Sequence, residues 1–231
     1  MVLVSLPAQT GVTGLHLDEG VLSGPYAGPI LLGGAVVACG GVAVGLWRMD
    51  DERIPQTGVM AAALFVASLI HVTIGLGGAH LTLVGLAGVL LGWSVFPAVL
   101  VALLLQAVLF QFGGFTTLGI NTLTFAIPAV VCHYLFGPLL RSLRTPGRAV
   151  FLMGFAAGST GVLLSCLLYS GVLLASGEGF KAIVSAVLLA HIPILLIEGF
   201  ITGTIAVSLK RLRPKIFDTA TWVGARRCPH G

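Results

Sequence analysis

Thirty consecutive residues, Leu81 to Phe110, carry no charged side chain, and apart from Trp93 their only polar side chains are Thr82, Ser94 and Gln106. Soluble domains place charge on about a quarter of their residues. Here the whole chain is only 9% charged and 57% hydrophobic, with a mean hydropathy of +1.06. Such a chain is solvated by lipid. Its apolar runs are continuous and lack the alternation, in segments of about ten residues, of a membrane barrel, so the expected class is all-α: a polytopic membrane helical bundle.

The runs fall at about 28–47, 57–75, 81–92, 95–111, 120–140, 149–175 and 182–209. A helix needs about 20 apolar residues to cross the hydrocarbon. The first, second, fifth, sixth and seventh runs meet that length, whereas 81–111 is either one kinked helix or two short ones around Gly92-Trp93-Ser94 and Pro97. The cations decide. Arg48 and Arg53 follow the first run, and Arg141, Arg144 and Arg148 follow the fifth. Lys210, Arg211, Arg213, Lys215, Arg226 and Arg227 follow the last, which leaves only Lys181 elsewhere. Cytoplasmic loops concentrate Lys and Arg. Two crossings within 81–111 put every cluster inside. Seven transmembrane helices are therefore expected, with the N-terminus outside and the C-terminus cytoplasmic.

That topology divides the chain into an outer N-terminal segment at 1–27, a transmembrane domain at 28–209 and a basic cytoplasmic tail at 210–231. It puts His16, the 76–80 loop and the 112–119 loop on the outer face. The net charge of +4 follows from topology and does not imply nucleic-acid binding. Cys39, Cys132, Cys166 and Cys228 are far apart and mostly within apolar runs, which argues against a disulfide or zinc framework. The first residues, MVLVSLPAQTGVTG, lack the basic start and long apolar run of a cleavable signal peptide. Gly41 and Gly45, Gly88 and Gly92, and Gly154 and Gly158 have the spacing that lets helix backbones approach, either within the bundle or at a membrane partner. With no phosphate-binding G-x-x-x-x-G-K-[ST] and no catalytic constellation, the chain reads as a non-enzyme, and any ATP-driven step belongs to another subunit.

The histidines carry the chemistry. His16, beside Asp18 and Glu19, and His80, expected to open a helix after GLGGA, are the leading candidates for a divalent transition-metal site. His71 is a candidate third ligand, with an ordinary interfacial histidine as the alternative. Gln106, Thr116, Thr117, Asn121 and Thr122 are expected to support the loops through hydrogen bonds. His133 is expected to make a structural hydrogen bond. His191 and Glu198, seven residues apart in the last run, share one helix face and form either a structural polar pair or a coupling element.

In order along the chain, HLDEGVLSGP, GGAHLTLVGLAGVLLG, LLQAVLFQFGGFTTLGINT, HIPILLIEGFITG and LKRLRP resemble the signatures of the CbiM/NikM family. These are the substrate-binding membrane components of energy-coupling-factor cobalt and nickel transporters. The resemblance runs from about Leu15 to Phe217. It implies seven helices that capture Co²⁺ or Ni²⁺ as transported substrate, with no organic cofactor. It also implies a transmembrane coupling subunit, two cytoplasmic ATPase subunits and a small membrane accessory subunit, together in the cell inner (cytoplasmic) membrane. In the family the ion lies in a planar nitrogen set: the amino-terminal amine, the next backbone amide, that residue's histidine and a second histidine. By motif position the histidines correspond to His16 and His80.

This sequence departs from the pattern in two places. The family's first histidine directly follows the initiator methionine, but fourteen residues precede Leu15 here. Translation beginning at Leu15 would give MHLDEGVLSGP and restore the amine. Otherwise a protease exposes the site, or Asp18 and Glu19 supply oxygen ligands. Relatives also often carry a polar or charged residue where Phe112 stands in FQFGG. Two rival functions use the same features: a membrane metalloenzyme built on His71, His80, His191 and Glu198, and a secondary transporter or channel, for which no inverted repeat is visible.

Overall fold

The computed structural model describes residues 15–22, 25–74, 77–142, 147–176, 181–212 and Phe217. Met1 to Gly14, Arg144, Arg213, Lys215 and the tail from 218, with Arg226, Arg227, Cys228 and His230, lie outside the described residues. The described chain is a helical bundle: α1 (Ala27–Trp47), α2 (Ile54–Ser68), α3 (Val84–Leu91), α4 (Val95–Phe110), α5 (Leu118–Ser142), α6 (Arg148–Ser176) and α7 (Lys181–Leu212). One short antiparallel hairpin, β1 (His71–Ile74) with β2 (Gly77–His80), interrupts it and pairs the backbone of His71 with that of His80. Five helical stretches are long and apolar enough to cross a membrane: Ala27–Trp47, Val84–Phe110, Leu118–Ser142, Arg148–Ser176 and Val184–Leu212.

Two expectations need correction here. The second apolar run does not form a full-length helix, because α2 stops at Ser68 and the chain becomes extended from His71. The β-branched stretch His71-Val72-Thr73-Ile74 followed by Gly75 favours extended backbone over helix. His80 does not open a helix either. It ends β2, and α3 begins only at Val84, after Leu83 has taken a left-handed conformation at φ 49°.

The 81–111 segment breaks at Gly92, whose φ of 58° and ψ of −127° end α3 and lead into a 3-10 turn at Gly92–Ser94. Trp93 in that turn lies under the Arg48 guanidinium at 5.3 Å, at the far end of α1. Later residues of α4, Ala102 and Gln106, face the same cavity as Val84 at the start of α3. The two short helices therefore fold back on each other. Arg48, Arg53 and Arg141 gather at the turn end of the bundle. There, burial lowers the pKa of the half-buried Arg53 guanidinium, nearby Asp50 opposes that shift and Arg141 adds to it.

All eight residues of α3 are buried, so this short helix is the core about which the longer ones pack. A side chain at Gly88 would collide with the carbonyl of Ala129 in α5, and one at Gly85 with that of Ala157 in α6. Gly154 and Gly158 likewise face Gly203 and Glu198 of α7, while Gly41 and Gly45 receive Phe96 and the Trp93 carbonyl. The three small-residue pairs thus serve packing inside the bundle.

Replacing Gly88 by Val should be among the most destabilising changes in the core. Overpacking of this kind costs about 1–3 kcal/mol even where the neighbour is a movable side chain, and here it is backbone. The expected outcome is a lower melting temperature of the detergent-solubilised protein, whereas Val at Gly171, which meets nothing within 4 Å, should leave the melt unchanged.

Candidate metal centre

Leu15, His16 and Leu17 are all buried, so the segment before α1 is threaded into the bundle. Asn121 of α5 holds it there. Its Oδ1 accepts the Leu17 N–H at 2.9 Å, and its Nδ2 donates to the Leu17 carbonyl at 3.0 Å, as a neighbouring strand would. The loop after α4 clasps the same segment from outside the bundle. The Gly113 N–H donates to Asp18 Oδ1 at 3.0 Å, the Glu19 N–H to the Gly113 carbonyl at 3.3 Å, and the Thr116 N–H to Glu19 Oε1 at 3.2 Å. Gly113 has φ 72°, and Gly114 leaves no space for a side chain beside Glu19, which explains the glycine pair in FQFGG. Thr117 completes the turn through a bond to the Gly114 carbonyl. Thr122 bonds within α5, to the Leu118 carbonyl at 2.7 Å. Carboxylate oxygens of Asp18 and Glu19, offered above as alternative ligands, are thus engaged in holding the loop.

His80 arrives from the other side. Its approach is fixed by Glu198 of α7, a fully buried carboxylate that accepts the backbone N–H groups of Thr82 and Leu83, the latter at 2.8 Å. His191 does not join it; its Nδ1 bonds the Val187 carbonyl of its own helix at 2.7 Å. The expected His191–Glu198 pair is therefore two separate arrangements, and Glu198 is the one tied to the site.

These constraints bring His16 and His80 face to face. Their ring centroids are 4.7 Å apart with planes 20° from parallel, and Phe125 packs against both, at 5.2 and 6.4 Å. The His80 Nδ1 lies 3.3 Å from the Leu81 carbonyl, which favours a proton on Nδ1 and the lone pair on Nε2. The two imidazoles border a small cavity of about 30 Å³ lined also by Ser68, Thr82, Gln106 and Phe125. Both histidines are buried rather than lying at the surface. Of the other candidates, the His71 side chain lies outside the described residues, and His133 sits at the opposite end against Gly92. Gln106 bonds Ser68 rather than a loop. Ser68 and Phe125 are the residues that sequence reasoning missed. Ser68 could have been found as a lone hydroxyl in an apolar run, whereas nothing in the sequence marks Phe125.

Among the described residues, no three His, Cys, Asp or Glu side chains converge in a cluster able to hold a metal. Two stacked imidazoles can be turned onto one ion, and among the described residues the further ligands on offer are backbone nitrogen and amide oxygen, with water and the amino terminus beyond them.

A family described as the cobalt uptake substrate-specific transmembrane region matches residues 16–216. The chain belongs to this CbiM family. As a CbiM protein it is a multi-pass membrane component of transition-metal transport. A Haemophilus influenzae protein named for metal transport is 45% identical over 208 residues, spanning 88% of this chain and 97% of its own. An Archaeoglobus fulgidus protein named as a fused nickel transport protein is 28% identical over 88% of this chain and 68% of its own length. A solved transition-metal transporter shares the fold, with a TM-score of 0.66 at 22% identity over 87% of this chain and 93% of that one.

The clasp yields a direct expectation. Asn121→Ala leaves the buried Leu17 N–H and carbonyl unpaired, at a cost of about 1–3 kcal/mol. Exchange of the Leu17 amide with deuterium should accelerate while amides in the middle of α5 and α6 stay protected.

Proposed function

We propose that this chain is the substrate-binding component of an ATP-driven energy-coupling-factor importer for Co²⁺ or Ni²⁺. The observation that carries the reading is the stacked His16–His80 pair, buried in a cavity beneath the loop that Asp18 and Glu19 hold down. Imidazole suits both ions. The shortage of further side-chain ligands favours a set completed by backbone and amine nitrogens, which is the arrangement the family resemblance implies. His71 remains a candidate further ligand from the strand paired with His80.

On this reading the helices cross the membrane seven times, α3 and α4 being two short crossings sheltered by their neighbours. The N-terminal segment lies outside. The arginine end, with Arg48, Arg53 and Arg141, lies at the cytoplasmic face of the inner membrane, where basic residues concentrate. The ion enters beside the 112–117 loop, is held by His16 and His80, and leaves inward when the complex reorients. Energy comes from two cytoplasmic ATPase subunits acting through a transmembrane coupling subunit, with a small accessory membrane subunit completing the assembly. Fusion in the Archaeoglobus fulgidus nickel transport relative is consistent with subunits that function together.

The test is metal binding by the purified chain. One Co²⁺ or Ni²⁺ per chain is expected by intact-mass spectrometry, and His80→Ala should abolish it; retention of tight binding by that variant would refute the reading. The same spectrum reports whether the chain begins at Met1 or at a methionine in place of Leu15, and hence which nitrogens complete the set. Binding should also fail in acid. Metal ligands must be free of protons, so affinity is expected to fall as pH is lowered, measured by titration calorimetry.

A further inference from the structure

The cavity beside His16 and His80 contains one polar group whose orientation is fixed by its neighbours. Ser68 spends its hydroxyl proton on the Phe65 carbonyl, at 2.6 Å. Its oxygen therefore receives the Gln106 Nε2–H at 2.7 Å and has no proton to offer in return. Reversing the Gln106 amide would set its oxygen against that oxygen, with no hydrogen between them. The amide is thus oriented, and its Oε1 lies on the other side.

Gln106 is 3% exposed, and this Oε1 is buried without a hydrogen-bond partner among the described residues. Gln106 lines the same cavity as the two histidines. A buried carbonyl oxygen without a donor is costly in lipid-embedded protein. It is stabilised when a donor enters the cavity, and a metal ion brings one. Water bound to a divalent cation has polarised O–H bonds and is a strong donor. The cavity volume of about 30 Å³ exceeds the roughly 10–15 Å³ that one water molecule requires.

We infer that Gln106 is a specificity-determining residue of the metal site, accepting at Oε1 a hydrogen bond from a water molecule bound to the ion held by His16 and His80. Ser68 is its positioning partner. The site then takes a divalent transition ion that keeps one aqua ligand, and it disfavours ligands that arrive without a proton to donate. This inference rests on the proposed metal-binding reading and adds the outer contact that reading lacks.

The experiment uses the full chain, purified in detergent and titrated with Co²⁺, with visible absorption reporting coordination number. Gln106→Met keeps length and apolar volume but removes the acceptor. Loss of an outer-shell partner costs roughly ten- to hundred-fold in metal affinity, and that loss is expected together with a shift of the Co²⁺ absorption bands. Gln106→Glu keeps an acceptor toward the cavity, and its stronger carboxylate acceptor draws the Ser68 hydroxyl proton away from the Phe65 carbonyl to replace the lost amide bond, so it should bind at least as tightly as the parent. Parent affinity and an unchanged spectrum in Gln106→Met would overturn the inference. So would weaker binding with an unchanged spectrum, which is what general loosening of the bundle produces. If Gln106→Met fails to fold, Gln106→Glu decides: weakened binding there assigns Gln106 a donor or packing role and overturns the inference. A parent chain that binds no Co²⁺ would instead remove the site itself, and a His80→Ala control that loses binding shows that the site stands whatever Gln106 does.

Discussion

One carboxylate holds the unusual part of this fold in place. Non-helical backbone at membrane depth is tolerated only where protein satisfies its polar groups, and residues 71–74 and 77–83 are non-helical. Glu198 of α7 receives the Thr82 and Leu83 N–H groups, which are among the orphan donors at the start of α3. Negative charge at a helix N-terminus is favourable, and this offsets part of the cost of burying a carboxylate. Without that cap, α3 would have no fixed starting point, and the strand leading to His80 would have no reason to stop where it does.

The second half of the site is built by the same kind of device from a different helix. Asn121 offers its side-chain amide to Leu17 in the way a strand edge would. The carboxylates of Asp18 and Glu19 then draw the 112–117 loop down over the segment through backbone N–H groups. Hydrogen bonds with a charged partner are roughly twice as strong as neutral ones. Two short pieces of irregular chain, neither stable alone, are thereby fixed accurately enough to stack two imidazoles.

Much of the bundle was legible beforehand because it depends on simple quantities. Apolar length located α1, α5, α6 and α7, and charge placement favoured a reversal at Gly92-Trp93-Ser94 over a kinked single span. His16 and His80, singled out through motif order and ligand chemistry, are two residues that the fold stacks together. Hydropathy could not reveal that α2 ends at Ser68, because His71 to Ile74 is apolar enough to continue a span and differs only in backbone preference. Nor could helical spacing assign Glu198. It shares a face with His191, but its partners are backbone groups 115 and 116 residues away, and no pattern in a single sequence records such contacts. Phe125 was missed for the same reason: an apolar ring acquires a role only from what is packed beside it.

The division of anchors has a mechanical consequence on the proposed reading. His16 is held through Leu17 by α5, and His80 is held through Thr82 and Leu83 by α7. Between them stands α3, which packs without side-chain clearance against α5 at Gly88 and against α6 at Gly85. A carrier must release what it binds, and it does so most simply when the ligands of one ion belong to parts able to move apart. Here, displacement of α7 relative to α5 would draw His80 from His16 while leaving each clasp intact. An ion bound between them therefore stabilises one relative placement of α5 and α7, and a partner that favours another placement weakens its binding by the same free energy.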